Sequence, residues 1–141
     1  MRRFKTALAA VAVVALSTGV AAYTPSALAG EWPTEKQCKK VAKDGDNIIK
    51  GWCAAISRKG GNCLACHQAL IKPWPEGFPP GGNIGPPFVG MAARFPTRDD
   101  LRAQIWDATV KNSNTSMPPF GRHKLVSEKS IDYIVDWLLS F

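Results

Sequence analysis

The run Cys63-Leu64-Ala65-Cys66-His67 sets two thiols three residues apart with an imidazole directly behind them. Nothing else in the chain constrains its fold as much. Cysteines at that separation reach the two vinyl groups along one porphyrin edge, and the adjoining histidine is then held under the iron as its proximal ligand. The spacing predicts one covalently attached haem c per chain, and an electron carrier built around it. Cys-x-x-Cys also opens zinc knuckles and forms the dithiol of thioredoxin-like proteins. A zinc site would need two more ligands at short spacing, and no second Cys-x-x-Cys or His-x-x-x-His follows downstream. A redox dithiol would sit among alternating strands and helices, a pattern missing here.

Residues 1–29 read as a secretory signal: Arg2, Arg3 and Lys5 form the charged start, Ala7 to Val14 with Leu16 the apolar stretch, and Ala27-Leu28-Ala29 the small-residue cleavage site. Gly30 becomes the first residue of a domain running over 30–141. Arg-Arg-Phe-Lys matches a twin-arginine signal poorly, and haem of this type is attached after export of an unfolded chain, so general secretion is the expectation. The apolar stretch is too short to span a bilayer, which predicts a soluble periplasmic protein with no membrane span.

The 112 residues from 30 to 141 suffice for one domain with a single core, which the haem must share. Setting Arg2, Arg3 and Lys5 aside leaves fifteen Lys and Arg against eleven Asp and Glu, or +4 before the propionates, which is no nucleic-acid footprint. Lys36, Lys39, Lys40 and Lys43 cluster ahead of the haem motif, and read more simply as the solvated face of a helix than as a steering patch.

Helical periodicity without convincing strands points to an all-α domain with about three core helices. One runs from about Asp46 to Arg58, with Ile48, Ile49, Trp52 and Ile56 on a common face and Gly60-Gly61 after it, and a shorter lysine-rich helix precedes it from about Thr34. The middle helix starts at Thr97, a hydroxyl cap followed by Asp99 and Asp100 at the positive end of the dipole, and turns Leu101, Ile105 and Trp106 inward. The last begins after Ser127 and repeats Ile131, Ile134, Val135 and Leu138 at a period of 3.6, with Tyr133 and Trp137 as aromatic surface.

Between the haem motif and the middle helix, Lys72 to Gly90 carries six prolines and five glycines, which excludes a helix and predicts a rigid loop wrapped against a flat ligand. The sixth iron position has three candidates, Met91, Met117 and His123. Met117 is favoured, because Ser116-Met117-Pro118-Pro119-Phe120-Gly121 is a stiff loop and its distance from His67 lets the middle helix pass between them.

Gly85-Pro86-Pro87-Phe88-Val89-Gly90 is similar to the Gly-Pro-x-apolar-x-Gly segment of class I cytochromes c. That resemblance implies their fold, with loops wrapped around one haem, and implies that the Pro86 carbonyl accepts the His67 ring N–H and orients the ligand. Over nearly the whole domain, the segments Gly61 to His67, Gly82 to Pro87, Asn114 to Gly121 and Ile131 to Leu138 resemble the SoxX family, the monohaem subunits of the SoxAX complex of bacterial thiosulfate oxidation. The resemblance implies membership of an L-cysteine S-thiosulfotransferase, which joins thiosulfate sulfur oxidatively to a cysteine of the carrier SoxYZ and releases two electrons. The sulfur chemistry would reside on the partner SoxA, and this chain would accept electrons and pass them to a soluble cytochrome c. A free-standing periplasmic shuttle shares every haem residue and stands as the alternative. Cys38 and Cys53 are the only thiols left over, and in an exported protein such a pair most simply forms a disulfide; a catalytic persulfide on either is the minor alternative.

Overall fold

Helix starts in this chain are set by side chains that satisfy free backbone N–H groups. The computed structural model describes residues 32–141; the expected signal 1–29 and cleavage point before Gly30 lie outside the described residues. Helix α1 spans Glu35–Asp44, and the Gln37 amide oxygen accepts the Thr34 N–H at 2.7 Å. Helix α2 spans Asn47–Ile56 behind Asp46, whose carboxylate accepts the Ile49 N–H at 2.9 Å. Short α3 covers Met91–Arg94, and α4 covers Arg98–Trp106, capped by the Thr97 hydroxyl on the Asp100 N–H at 3.1 Å. Helix α5, Glu128–Leu138, starts at Ser127, whose hydroxyl accepts the Ser130 N–H at 3.2 Å. The domain is all-α: among the described residues the sole β feature is an isolated bridge between Ala69 and Phe88.

The core forms where α2 crosses α5, the most extensive contact between elements. Gly51 makes this possible. A β-carbon there would collide with the Tyr133 carbonyl and stand 2.6 Å from Trp137 Cβ, so only a hydrogen lets the two backbones approach so closely. Around the crossing, Trp52, Ile131, Ile134, Val135 and Trp137 are fully buried. Trp137 therefore corrects the expectation of aromatic surface: it lies on the crossing, 5.5 Å from Trp52 between ring centroids and edge-on to it. Trp32, Trp74 and Phe78 extend the aromatic cluster around Trp52. Trp106 is only half-buried, and its ring covers the backbone at Gly121.

Charged side chains fasten the third core helix. Arg98 on α4 bonds Asp136 at 2.9 Å, Arg102 bonds Asp132 at 2.9 Å and Glu128 at 3.2 Å, and Asn47 of α2 donates to the other oxygen of Asp136 at 3.0 Å. Asp136 thereby ties α2, α4 and α5 at one node, where a network outweighs the small worth of an exposed pair. A disulfide between Cys38 and Cys53 fixes α1 to α2. Helix α2 stops at Ile56, before the expected Arg58, because the Gly60 and Asn62 N–H groups turn back onto the Ser57 carbonyl.

Candidate functional site

The turn after α2 leads directly into the Cys-x-x-Cys-His segment. Asn62 adopts a left-handed φ of 43°, which redirects the chain, and Cys63–Ala65 then forms one 3-10 turn with the His67 N–H on the Cys63 carbonyl at 2.9 Å. The proline and glycine loop closes on this segment through its backbone. Gly82 N–H donates to the Leu64 carbonyl at 2.8 Å, Gly85 N–H to that of Cys66 at 2.8 Å, and Phe88 N–H to that of Gln68 at 2.7 Å. Gly82 lies so close to the Ala65 carbonyl, and Gly85 to the His67 ring, that a β-carbon at either would overlap them. Thus the loop, expected to wrap a flat ligand, first wraps the motif itself.

Its effect on His67 is specific. The Pro86 carbonyl oxygen lies 2.6 Å from Nδ1, so the ring donates there and Nε2 carries the free lone pair. Phe88 stacks on the other side of the imidazole at 4.5 Å with an interplanar angle of 16°. The ring is held by a hydrogen bond, an aromatic face and a glycine backbone together, which fixes both tautomer and orientation. The Phe88 contact was not read from the sequence, although the apolar position in the Gly-Pro-x-apolar-x-Gly pattern marks where it falls.

These residues line a cleft of about 710 Å³, within the usual range for cofactor sites. Cys63, Cys66 and His67 share it with Pro86, the Asn114–Phe120 loop, and Leu101, Ile105, Ile134 and Leu138 from the core helices. Both methionine candidates reach it. Met117 sits in the loop, where its N–H bonds the Thr115 hydroxyl at 3.1 Å. Met91 is 3 % exposed, and its sulfur receives the Arg94 guanidinium at 3.6 Å. His123 is exposed and is not among the residues lining the cleft. Two cations on the wall, Arg94 and Lys111, flank the Phe95 ring at 5.8 and 5.4 Å from its centroid. No sequence signal singled them out.

Burial pushes the Cys63 thiol up to about 12, partly offset by its own backbone N–H. A thiol so placed stays protonated near neutrality, the opposite of the depressed value that a redox-active dithiol needs. Two thiols, a fixed imidazole nitrogen and thioether sulfur in one apolar cleft form a donor set that fits a flat, iron-bearing macrocycle bound through its edge.

An all-α domain closed by an α2–α5 crossing, with this donor set in its cleft, is a c-type cytochrome domain of class I. Residues 42–138 match the family described as cytochrome c oxidase, cbb3-type, subunit III, and the chain belongs to that family. No curated protein matches the chain. The domain carries covalently bound haem c, transfers electrons and requires a redox partner. Among the described residues no helix is long and apolar enough to cross a membrane.

Proposed function

We propose that this chain is the electron-accepting SoxX subunit of a periplasmic SoxAX complex, an L-cysteine S-thiosulfotransferase. Its partner SoxA carries the sulfur chemistry, the acceptor of thiosulfate sulfur is a cysteine of SoxYZ, and a soluble cytochrome c takes the electrons onward. Residues 1–29 direct secretion and 30–141 form the working domain. Cys63 and Cys66 would hold the single haem through thioethers, and His67 and Met117 would ligate its iron. One observation carries the reading: the four segments in which the chain resembles SoxX, 61–67, 82–87, 114–121 and 131–138, all contribute walls to the same cleft.

The bound group supplies a reversible one-electron couple. The protein's own residues prepare for it. Pro86 keeps the Nδ1 proton of His67 in place, which leaves the Nε2 lone pair free as a ligand and prevents ring rotation. Met117 is the better thioether ligand of the two, because Arg94 already occupies the Met91 sulfur. Apolar side chains from α4 and α5 keep water from the cleft interior, limiting solvent reorganisation when charge changes.

Purification of the untagged chain from the periplasm tests the assignment. Co-elution with a second haem protein supports the SoxX reading, and a strictly monomeric carrier would leave a free-standing cytochrome c shuttle. Met117→Ala should remove the sulfur-to-iron charge-transfer band and lower the potential. An unchanged spectrum would return Met91 or His123 to the sixth position.

A further inference from the structure

Four arginines serve this fold in ion pairs. Arg58, Arg98, Arg102 and Arg122 each contact a carboxylate within 4 Å. Among the described residues no lysine has an ion-pair partner, and helix α1 gathers four lysines on one face. Lys36, Lys39, Lys40 and Lys43 follow the i, i+3, i+4, i+7 spacing that puts them on one stripe, all four are exposed, and among the described residues none has an ion-pair partner. The stripe works against its own helix, since each neighbouring pair three or four residues apart repels. Ten residues with a single buried side chain, Cys38, are too few to hold such a helix in water. The bond from Cys38 to Cys53 supplies what the helix lacks, by fixing it to buried α2. A segment that resists its own folding and is then stapled in place presents its charges rigidly.

From this geometry we infer that the α1 stripe is a docking surface for an acidic protein that exchanges electrons with this domain. The surface reaches the haem motif. Thr34, Glu35 and Lys36 line one cleft of about 500 Å³ together with Asn62, Leu64 and Ala65, so a partner seated on α1 lies against the segment that bears Cys63 and Cys66. Lys36, Lys39 and Lys40 precede residue 42, where the match to the family starts, and Lys43 lies within it. An anionic bilayer is the other surface that attracts lysines. It binds helices that can insert an apolar face, whereas the side of α1 opposite the lysines packs on α2 and is covalently held there. A folded acidic partner needs only the charges, which raise association rates by long-range attraction.

This inference rests on the electron-transfer role of the domain and not on its assignment to SoxAX. The experiment uses the haem-loaded protein and reduced flavodoxin, an acidic one-electron donor, in stopped flow across a range of ionic strength. Three proteins are compared: wild type, K36Q/K39Q/K40Q/K43Q, and K59Q/K72Q/K124Q/K129Q, which loses the same charge elsewhere. The α1 variant should react about tenfold more slowly at low salt and lose most of its salt dependence, while the control stays within about twofold of wild type. Its absorption spectrum should be unchanged and its melting temperature equal or higher, because like-charge repulsion within α1 has been relieved. Equal slowing in both variants would reduce the effect to overall charge and overturn the inference, as would an α1 variant as fast as wild type. Capture of wild type, but not of the α1 variant, by phosphatidylglycerol vesicles would overturn it in favour of a membrane. A purified chain without a Soret band would instead overturn the electron-transfer reading beneath it.

Discussion

Replacing Gly51 with alanine sets two opposing effects against each other at the α2–α5 crossing. In an isolated helix the change is favourable by about 1 kcal/mol, the propensity difference between the two residues. In the folded domain the new methyl would overlap the Tyr133 carbonyl and approach Trp137 Cβ to 2.6 Å and the Tyr133 carbonyl carbon to 2.7 Å, where ordinary contacts begin at 3.4 Å. All three atoms belong to, or adjoin, the backbone of a buried helix, so no flexible side chain can swing away. Relief demands that the helices separate by the better part of an ångström, loosening every contact around Trp52 and Trp137. Overpacking of this sort costs about 3 kcal/mol, at the upper end of its usual range. The net is a loss of about 2 kcal/mol, or about 8 °C in melting temperature for a domain of this size. Thermal unfolding followed by far-ultraviolet circular dichroism measures it directly. Gly60→Ala is the control, since a β-carbon there meets nothing closer than 3.6 Å. A Gly51→Ala protein that melts at or above the wild-type temperature would refute the close crossing.

Three further outcomes are expected. Gly85→Ala drives the His67 ring from its contact with Pro86, so the fraction of chains carrying covalent haem, read by mass spectrometry, should fall sharply; undiminished loading would show that the loop does not hold the imidazole. Removing the bond with Cys38→Ser and Cys53→Ser should cost about 3 kcal/mol for a separation of 15 residues, read from urea midpoints, and a loss near zero would mean that α1 docks unaided. Asp107 accepts hydrogen bonds from the Thr109 hydroxyl and N–H and an ion pair from Arg122 at 2.8 Å, which hold its carboxyl below the ordinary 3.8. With a lowered folded value, its contribution is complete above the ordinary value and is lost as the pH falls through the folded one. Urea midpoints between about pH 5 and 2 should therefore fall less steeply for Asp107→Asn than for wild type, and identical slopes would contradict the assignment.

What the sequence made legible is local. Thr34, Asp46, Thr97 and Ser127 announce helix starts because the hydroxyl or carboxylate and the N–H groups it serves lie within three residues. The face of α5 follows from its period, and the placement of Pro86 beside His67 from a short motif. What stayed hidden depends on distant partners. Trp137 looks like surface on a wheel of α5 alone and is buried because Gly51, far away in the chain, lets α2 come close. The Arg98, Arg102 and Asn47 contacts to Asp132 and Asp136 join three helices and carry no spacing signal. Of the loop glycines, Gly81, Gly82 and Gly85 are sites of close approach, to Ala65, Cys66, His67 and Gln68, whereas Gly77 and Gly90 meet nothing within 4 Å and serve left-handed turns.

The crossing of α2 and α5 also imposes a sequence of events on folding. Gly51 and Tyr133 meet across 82 steps of chain and Asn47 and Asp136 across 89, so closing this crossing carries a large loop-closure entropy. The thiols of Cys63 and Cys66 come shortly after α2, ahead of α4, the Met117 loop and α5, which together wall the cleft. Without the final helix, the cleft that those thiols line lacks its Ile134 and Leu138 wall. Once the helix docks, that wall closes one side of the cleft. A chain arranged in this way loads before it locks, and a variant that locks too early should be recovered folded but colourless.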